Sequence, residues 1–264
     1  MIFDGFPLVV GPCVLESDGI NLTVAREAAD VGRDLELPTI FKASFDKANR
    51  SVPGAARGPG LEEGLERLAR VREETGLLLL TDIHEPEQAE PVADVVDVLQ
   101  IPAFLCRQTD LVEAAGRTGR PVNLKKGQWM APEEMEHAAA KARRAGAAEV
   151  AVTERGTFFG YGDLVVDMRA FARLREACDA PVLFDGTHSV QRPGAAQGAS
   201  GGRREAVPAL VRGAVGAGCS GLFLETHPDP GSAPSDARTM LPLGSLRGLA
   251  REAVAIRRAL EDAS

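Results

Sequence analysis

The chain is poor in several residue types. Of 264 residues, one is tryptophan, one is tyrosine and four are cysteine. The cysteines, Cys13, Cys106, Cys178 and Cys219, are widely scattered. No close-spaced pair exists to frame a small disulfide scaffold, so reduced thiols in a cytoplasmic compartment are expected. No stretch approaches the ~20 consecutive apolar residues of a membrane span. The opening MIFDGFPLVVGPC lacks the basic region and long apolar run of a secretory signal. Positive charge is also in deficit: 30 Lys and Arg face 38 Asp and Glu, for a net charge of −8 and a pI near 5.2. That balance argues against nucleic acid as a partner, just as the missing apolar run argues against a membrane. Low-complexity tracts, charge blocks and Pro/Ser-rich linkers are absent too, so residues 1–264 read as one domain.

What is present is a repeated pattern. Short apolar runs occur at 7–13, 37–44, 77–83, 95–102, 121–127, 149–156, 181–188 and 221–227. They show little polar alternation, as a parallel sheet covered on both faces requires. Helix-like segments separate them, among them amphipathic stretches at 60–76 and 131–146 and a last helix near Leu246–Leu260. Eight strands alternating with helices imply right-handed βαβ units. In a chain of this length they predict a single (β/α)₈ TIM barrel of the α/β class.

Nearly every run ends in a polar group: Cys13, Lys42, Asp82 with His84, Gln100, Lys125 with Lys126, Glu154 with Arg155, Asp185 with His188, and Glu225 with His227. Groups at the C-terminal ends of barrel strands share one mouth, where barrel active sites lie, so the pattern predicts an enzyme. The segment Phe41–Ser51, FKASFDKANRS, adds Lys47, Asn49 and Arg50 with only Asp46 to oppose them. Cations so gathered in an acidic protein call for anionic ligands, phosphate or carboxylate. Lys126 follows Lys125 in its strand and faces the other way, where a structural ion pair is the competing reading. Cys13, His188, Glu225 and Asp236 offer a thiolate, an imidazole and two carboxylates, a donor mixture suited to Zn²⁺, Fe²⁺ or Mn²⁺. Taken alone, Cys13 reads as core packing, and so do Cys106, Cys178 and Cys219. His137 sits in a polar helix and reads as solvated.

The motifs GPCVLES, FKASFDKANRS, TDIHEPEQAEPVADVVDVLQIPAFLCRQTDL, NLKKGQ, TERGTFFGYGDLVVDM, FDGTHSVQ, SGGRRE and ETHPDP run in order along the chain. Together they resemble the 3-deoxy-D-manno-octulosonate 8-phosphate synthases, (β/α)₈ barrels of lipopolysaccharide sugar synthesis. Those enzymes condense phosphoenolpyruvate with D-arabinose 5-phosphate and release phosphate. KANRS distinguishes them from the related 3-deoxy-D-arabino-heptulosonate 7-phosphate synthases, which use erythrose 4-phosphate and carry a stretch like KPRTS. The resemblance implies phosphoenolpyruvate contacts from Lys42, Lys47, Gln100, Phe104, Lys125 and Arg155. It implies arabinose 5-phosphate contacts from Asn49, Arg50, Ser51 and, across a subunit boundary, Arg107. Catalytic roles fall to Lys42, Lys47, Asp82, His84, Lys125, His188 and Asp236. Cys in the GPC motif marks the metal-dependent branch, with Cys13, His188, Glu225 and Asp236 as ligands to a divalent ion, and a homotetramer is implied. One departure stands out: where the family continues like SIHSFRGPG, this chain has VPGAARGPG. The stretch QRPGAAQGASGGRRE is expected to form a mobile lid, with Arg203 and Arg204 open to either a phosphate or a structural role. Two other readings remain: the erythrose 4-phosphate enzyme, and a barrel that binds phosphosugars without catalysis.

Overall fold

The computed structural model describes residues 1–49, 54–196 and 199–263. Eight parallel strands form its centre: β1 (Leu8–Gly11), β2 (Thr39–Lys42), β3 (Leu78–Asp82), β4 (Val98–Ile101), β5 (Val122–Lys125), β6 (Val150–Glu154), β9 (Val182–Asp185) and β12 (Gly221–His227). They pair in that order, and the sheet closes on itself where β1 meets β12, from Leu8 opposite Leu222 to Gly11 opposite Glu225. Every one of the eight lies inside an apolar run read from the sequence.

Outside the barrel run α1 (Asp18–Leu35), α2 (Leu61–Thr75), α3 (Ala89–Val95), α4 (Thr109–Arg117), α5 (Met135–Ala145), α6 (Ala170–Cys178), α7 (Val207–Gly216) and α8 (Leu246–Glu261). In α1, Ser17 accepts a hydrogen bond from the Ile20 amide at the N-terminus, and Val24, Ala25, Ala28 and Val31 form the buried stripe. The expected helix at 131–146 is divided: a 3₁₀ turn at Pro132–Glu134 precedes α5.

Two hydrophobic layers result. One lies between strands and helices; the other fills the lumen with Phe3, Val9, Ile40, Leu80, Val98, Ala151, Leu183 and Phe223. Phe3 belongs to no strand. It seals the floor of the barrel, and Glu149 holds its segment by accepting the Ile2 amide at 2.8 Å and the Phe3 amide at 3.3 Å. Strand β1 approaches β2 so closely that a Cβ on Gly11 would lie 1.9 Å from the Lys42 carbonyl oxygen. Glycine is required there by space.

At the mouth the sequence reading needs correction. Two antiparallel hairpins stand there: β7 (Thr157–Gly160) with β8 (Asp163–Val165), and β10 (Gln191–Ala196) with β11 (Ala199–Gly202). The second lies in the stretch expected to form a mobile lid. The hairpins are tied to each other, with Arg192 Nε 2.8 Å from Asp163 Oδ1. Short strand β13 (Leu241–Pro242) extends the sheet beside β12.

Candidate active site

Side chains of a strand alternate between its faces, so the residue two beyond each lumen position also points inward. Ile40 is thus followed by Lys42, Leu80 by Asp82, Val98 by Gln100, Leu183 by Asp185 and Phe223 by Glu225. On β5 the inward residues are Asn123 and Lys125; on β6 they are Ala151, Thr153 and, just past its end, Arg155. A polar belt comes first: Asn123 donates to Gln100 Oε1 at 2.9 Å and Thr153 donates to Asn123 Oδ1 at 2.7 Å. Above it lies a charged layer. Lys42, Lys125 and Arg155 are each buried, at 2%, 5% and 4% exposure, which only close partners permit.

Lys42 Nζ donates to Glu225 Oε1 at 2.9 Å and to the Cys13 carbonyl at 3.2 Å. Lys125 pairs with Asp185 and sits over the Phe223 ring, 3.5 Å from its centroid. Asp185 also receives the Thr187 and His188 amides at 3.0 and 2.8 Å and lies 2.7 Å from His188 Nδ1. Lys47 donates to Ser44 Oγ at 2.9 Å, Ser44 in turn to Asp82, and His84 Nε2 lies 3.1 Å from Asp82 Oδ2. Arg155 Nη2 donates to Gln191 Oε1 at 2.6 Å, while its Nη1 is buried without a hydrogen-bond partner among the described residues. Much of the positive charge is therefore matched within the barrel by Asp82, Asp185, Glu225 and Asp236. The gathered cations thus have partners of their own before any external anion binds. Arg155 Nη1 is the clearest opening for one.

The electrostatics follow from this crowding. Burial drives the Lys125 ammonium down to about 8, with Asp185 resisting. Burial would raise the Asp185 and Asp236 carboxyls, yet both are held below the ordinary carboxylate range. His188 and Lys125 act on Asp185; His188 and Lys47 act on Asp236. The Cys13 thiol is pushed well above its usual value by burial and by Glu225.

Cys13, His188, Glu225 and Asp236 each present a donor atom, and these atoms lie within 4.8 Å of one another. Cys13 Sγ lies 3.1 Å from Asp236 Oδ2 and His188 Nε2 lies 3.5 Å from Glu225 Oε2. Glu225 Oε2 is buried with no hydrogen-bond partner among the described residues. An orphaned carboxylate oxygen beside a thiol, an imidazole and a second carboxylate fits a divalent cation.

Other expected residues lie outside this buried layer or have other partners. Phe104 is 53% exposed and stacks on Trp129, their centroids 5.9 Å apart. Asn49 and Arg107 are exposed. Arg50 and Ser51 lie outside the described residues, as do Val52 and Pro53 of the VPGAARGPG departure. The chain leading out of that stretch is tied down: Arg57 Nε donates to Asp46 at 2.8 Å, and the Lys47 amide to the Arg57 carbonyl at 2.7 Å. Lys126 is buried 3.6 Å from Glu154 and donates to the Gly127 and Met130 carbonyls, which is the structural alternative. Arg203 lies 3.7 Å from Asp163, and Arg204 donates to the Ala237 carbonyl. His227 Nε2 faces Glu16 at 3.2 Å, His137 is exposed on α5, and Cys106, Cys178 and Cys219 are free and buried. Ser44, Asp185 and Gln191 had no assigned role. Asp185 carries a signal, as the carboxylate ending its strand; Gln191 bonds to Arg155 and Asp236, 36 and 45 positions away, and Ser44 to Asp82, 38 away, so neither contact can be read locally.

Fold and mouth together define a class: (β/α)₈-barrel enzymes that gather buried cations beside a donor set suited to a divalent metal. A model of the DAHP synthetase I family matches residues 4–261, and the chain belongs to that family. It is 54% identical over 242 residues to a 2-dehydro-3-deoxyphosphooctonate aldolase of Alkalilimnicola ehrlichii, covering 92% of this chain and 87% of the relative. The enzyme of the same name from Syntrophotalea carbinolica is 52% identical over 249 residues, covering 94% and 90%. That of Koribacter versatilis is 50% identical over 256 residues, covering 96% and 91%.

Proposed function

We propose that this chain joins phosphoenolpyruvate to D-arabinose 5-phosphate and water, yielding 3-deoxy-D-manno-octulosonate 8-phosphate and inorganic phosphate. This is the reaction of the enzymes also called 2-dehydro-3-deoxyphosphooctonate aldolases, a step toward a lipopolysaccharide sugar. The observation that carries the reading is the joining of Lys42, Lys125 and Arg155 to the four-donor set in one buried layer. Identity of 50% or more to relatives of that name favours it over the erythrose 4-phosphate enzyme, whose name the family model bears.

In this reading Lys42, Lys47, Lys125 and Arg155 receive the phosphate and carboxylate of phosphoenolpyruvate. Gln100 lines the mouth, and Phe104 lies close to the substrate. Asn49, Arg50 and Ser51 take the pentose hydroxyls and phosphate, joined by Arg107 of a neighbouring subunit in a homotetramer. Two anions repel each other, and the cations offset that cost while fixing their orientation. C3 of phosphoenolpyruvate then forms a bond to the aldehyde carbon, whose oxygen takes up a proton. Water adds at C2, and the C2–O bond to phosphate breaks to leave the ketone. Asp82 and His84, hydrogen-bonded to each other at the mouth, supply a pair for moving protons. Cys13, His188, Glu225 and Asp236 would hold Zn²⁺, Fe²⁺ or Mn²⁺, placing the chain in the metal-dependent branch. A bound ion there supplies Lewis-acid polarisation. The chain is assigned to the cytoplasm, and no helix among the described residues is long and apolar enough to cross a membrane.

The test is a phosphate-release assay with either aldose phosphate, with and without chelator. Release with arabinose 5-phosphate, lost on chelation and restored by divalent metal, is expected. Faster release with erythrose 4-phosphate overturns the substrate assignment, binding without release overturns catalysis, and full activity in metal-stripped protein overturns metal dependence.

A further inference from the structure

Gln191 has a place in the mouth that neither substrate contacts nor metal ligands describe. It begins β10 and pairs with Gly202 of β11, so the base of the hairpin fixes its backbone. Its side-chain amide reaches in two directions. Oε1 accepts from Arg155 Nη2 at 2.6 Å, and Nε2 donates to Asp236 Oδ1 at 2.7 Å. The orientation is forced by chemistry: a guanidinium only donates and an ionised carboxylate only accepts. The amide supplies the acceptor on one atom and the donor on the other, so one neutral side chain serves both. Asp236 uses its other oxygen, Oδ2, for the Cys13 thiol at 3.1 Å and the Ser235 hydroxyl at 2.9 Å. A continuous path thus runs from the free Nη1 of Arg155, through Gln191, to two of the four metal-type donors.

We infer that Gln191 is a positioning residue that couples anion binding at Arg155 to divalent-cation binding at the Cys13–Asp236 end of the mouth. The inference rests on the proposed function for the identity of the anion and adds a thermodynamic link between the two halves. An ion drawn to Asp236 fixes that carboxylate. The carboxylate fixes the amide, and the amide holds the guanidinium with Nη1 turned to the anion. Placement supplied by one ligand need not be supplied again by the other, so each tightens the other by the same factor. Lys42, shared between Glu225 and the anion half, contributes in the same direction: a cation at Glu225 leaves the Lys42 charge less compensated. Gln191 carries the part of the coupling that a neutral substitution can remove.

The experiment titrates the metal-free protein with Co²⁺, reading the thiolate-to-cobalt charge-transfer band, with and without saturating phosphoenolpyruvate and with no aldose present. In the parent protein phosphoenolpyruvate should tighten Co²⁺ by about tenfold, within the ordinary range of coupling between sites. In Gln191→Met, which keeps the length and loses the amide, the factor should fall to within about twofold of unity while both ligands still bind. Gln191→Glu keeps an acceptor for Arg155 and loses the donor to Asp236, so its factor should fall too. If Gln191→Met fails to fold, by circular dichroism and melting, the comparison passes to Gln191→Glu. An unchanged factor in a folded variant overturns the inference and leaves the proposed function standing, as does a parent factor of one. Absence of a cobalt–thiolate band in the parent overturns the metal assignment and this inference with it.

Discussion

Lys125 shows how one buried charge sets a pH dependence. Burial brings its ammonium down to about 8 in the ligand-free protein, so above that pH it is largely neutral. A bound phosphate or carboxylate favours the charged form, so binding there takes up a proton. Affinity for phosphoenolpyruvate should therefore fall as pH rises through 8, approaching tenfold per unit. Calorimetry from pH 7 to 10 measures this, and Lys125→Arg, whose guanidinium does not titrate, should flatten the slope. A flat profile in the parent would contradict the shift. At Cys13, replacement by alanine removes one buried sulfur and should cost ~1 kcal/mol of stability. Metal affinity should fall by more than the 10- to 100-fold typical of groups that merely support ligands. Equilibrium dialysis of Zn²⁺ beside a melting curve separates the two effects. At this scale, residues that end strands were legible from the sequence because strand parity turns them inward. The partner choices were not legible: nothing near Lys125 in sequence announces Asp185, and the Gln191–Asp236 contact spans 45 positions.

The elements were legible to the extent that their burial was uniform. The eight barrel strands are buried almost throughout, since helices cover one face and the lumen the other, and their apolar residues run on with little polar alternation. The runs overshoot the ladders by one to three residues at most ends. Residues just past a strand's C-terminal end, such as Ala43, Ile83 and Lys126, are as buried as the strand yet make no ladder pairs, whereas the approach at Pro38 is exposed. Hairpin β7–β8 gave no such signal because its Phe159 and Tyr161 are fully exposed, and short exposed strands have no periodicity to read. The floor segment was invisible for another reason: Phe3 is buried by residues from across the whole chain. Gly11 provides a test at this scale. Gly11→Ala would force β1 away from the Lys42 carbonyl, at a cost of ~1–3 kcal/mol by overpacking. Because Cys13 lies just past β1 and Lys42 ends β2, the variant should lose metal and phosphoenolpyruvate affinity together, which melting and titration would reveal.

For the molecule as a whole, the proposed site is completed by a neighbour. Arg107 is exposed and far from burial in the single chain, yet it is assigned to the sugar phosphate. Sedimentation should show a tetramer, and Arg107→Ala should raise the KM for arabinose 5-phosphate at least tenfold, with little change for phosphoenolpyruvate. Equal effects on both substrates would refute the division of the mouth into two anion sites. The closed architecture could be read from the count of eight alternating units. Assembly could not, because an exposed arginine looks the same in sequence whether it faces water or a partner.

The floor sealed by Phe3 and Ile2 has a kinetic consequence. With the lower end of the cylinder stopped by hydrocarbon, the proposed substrates would come and go at the top. Lys125 and Arg155 are buried and Asn49 is exposed, so on the roles proposed for them liberated phosphate would start beneath the eight-carbon sugar formed above it. The larger product would then clear the doorway before the smaller one, an order of departure that no dedicated gate needs to impose.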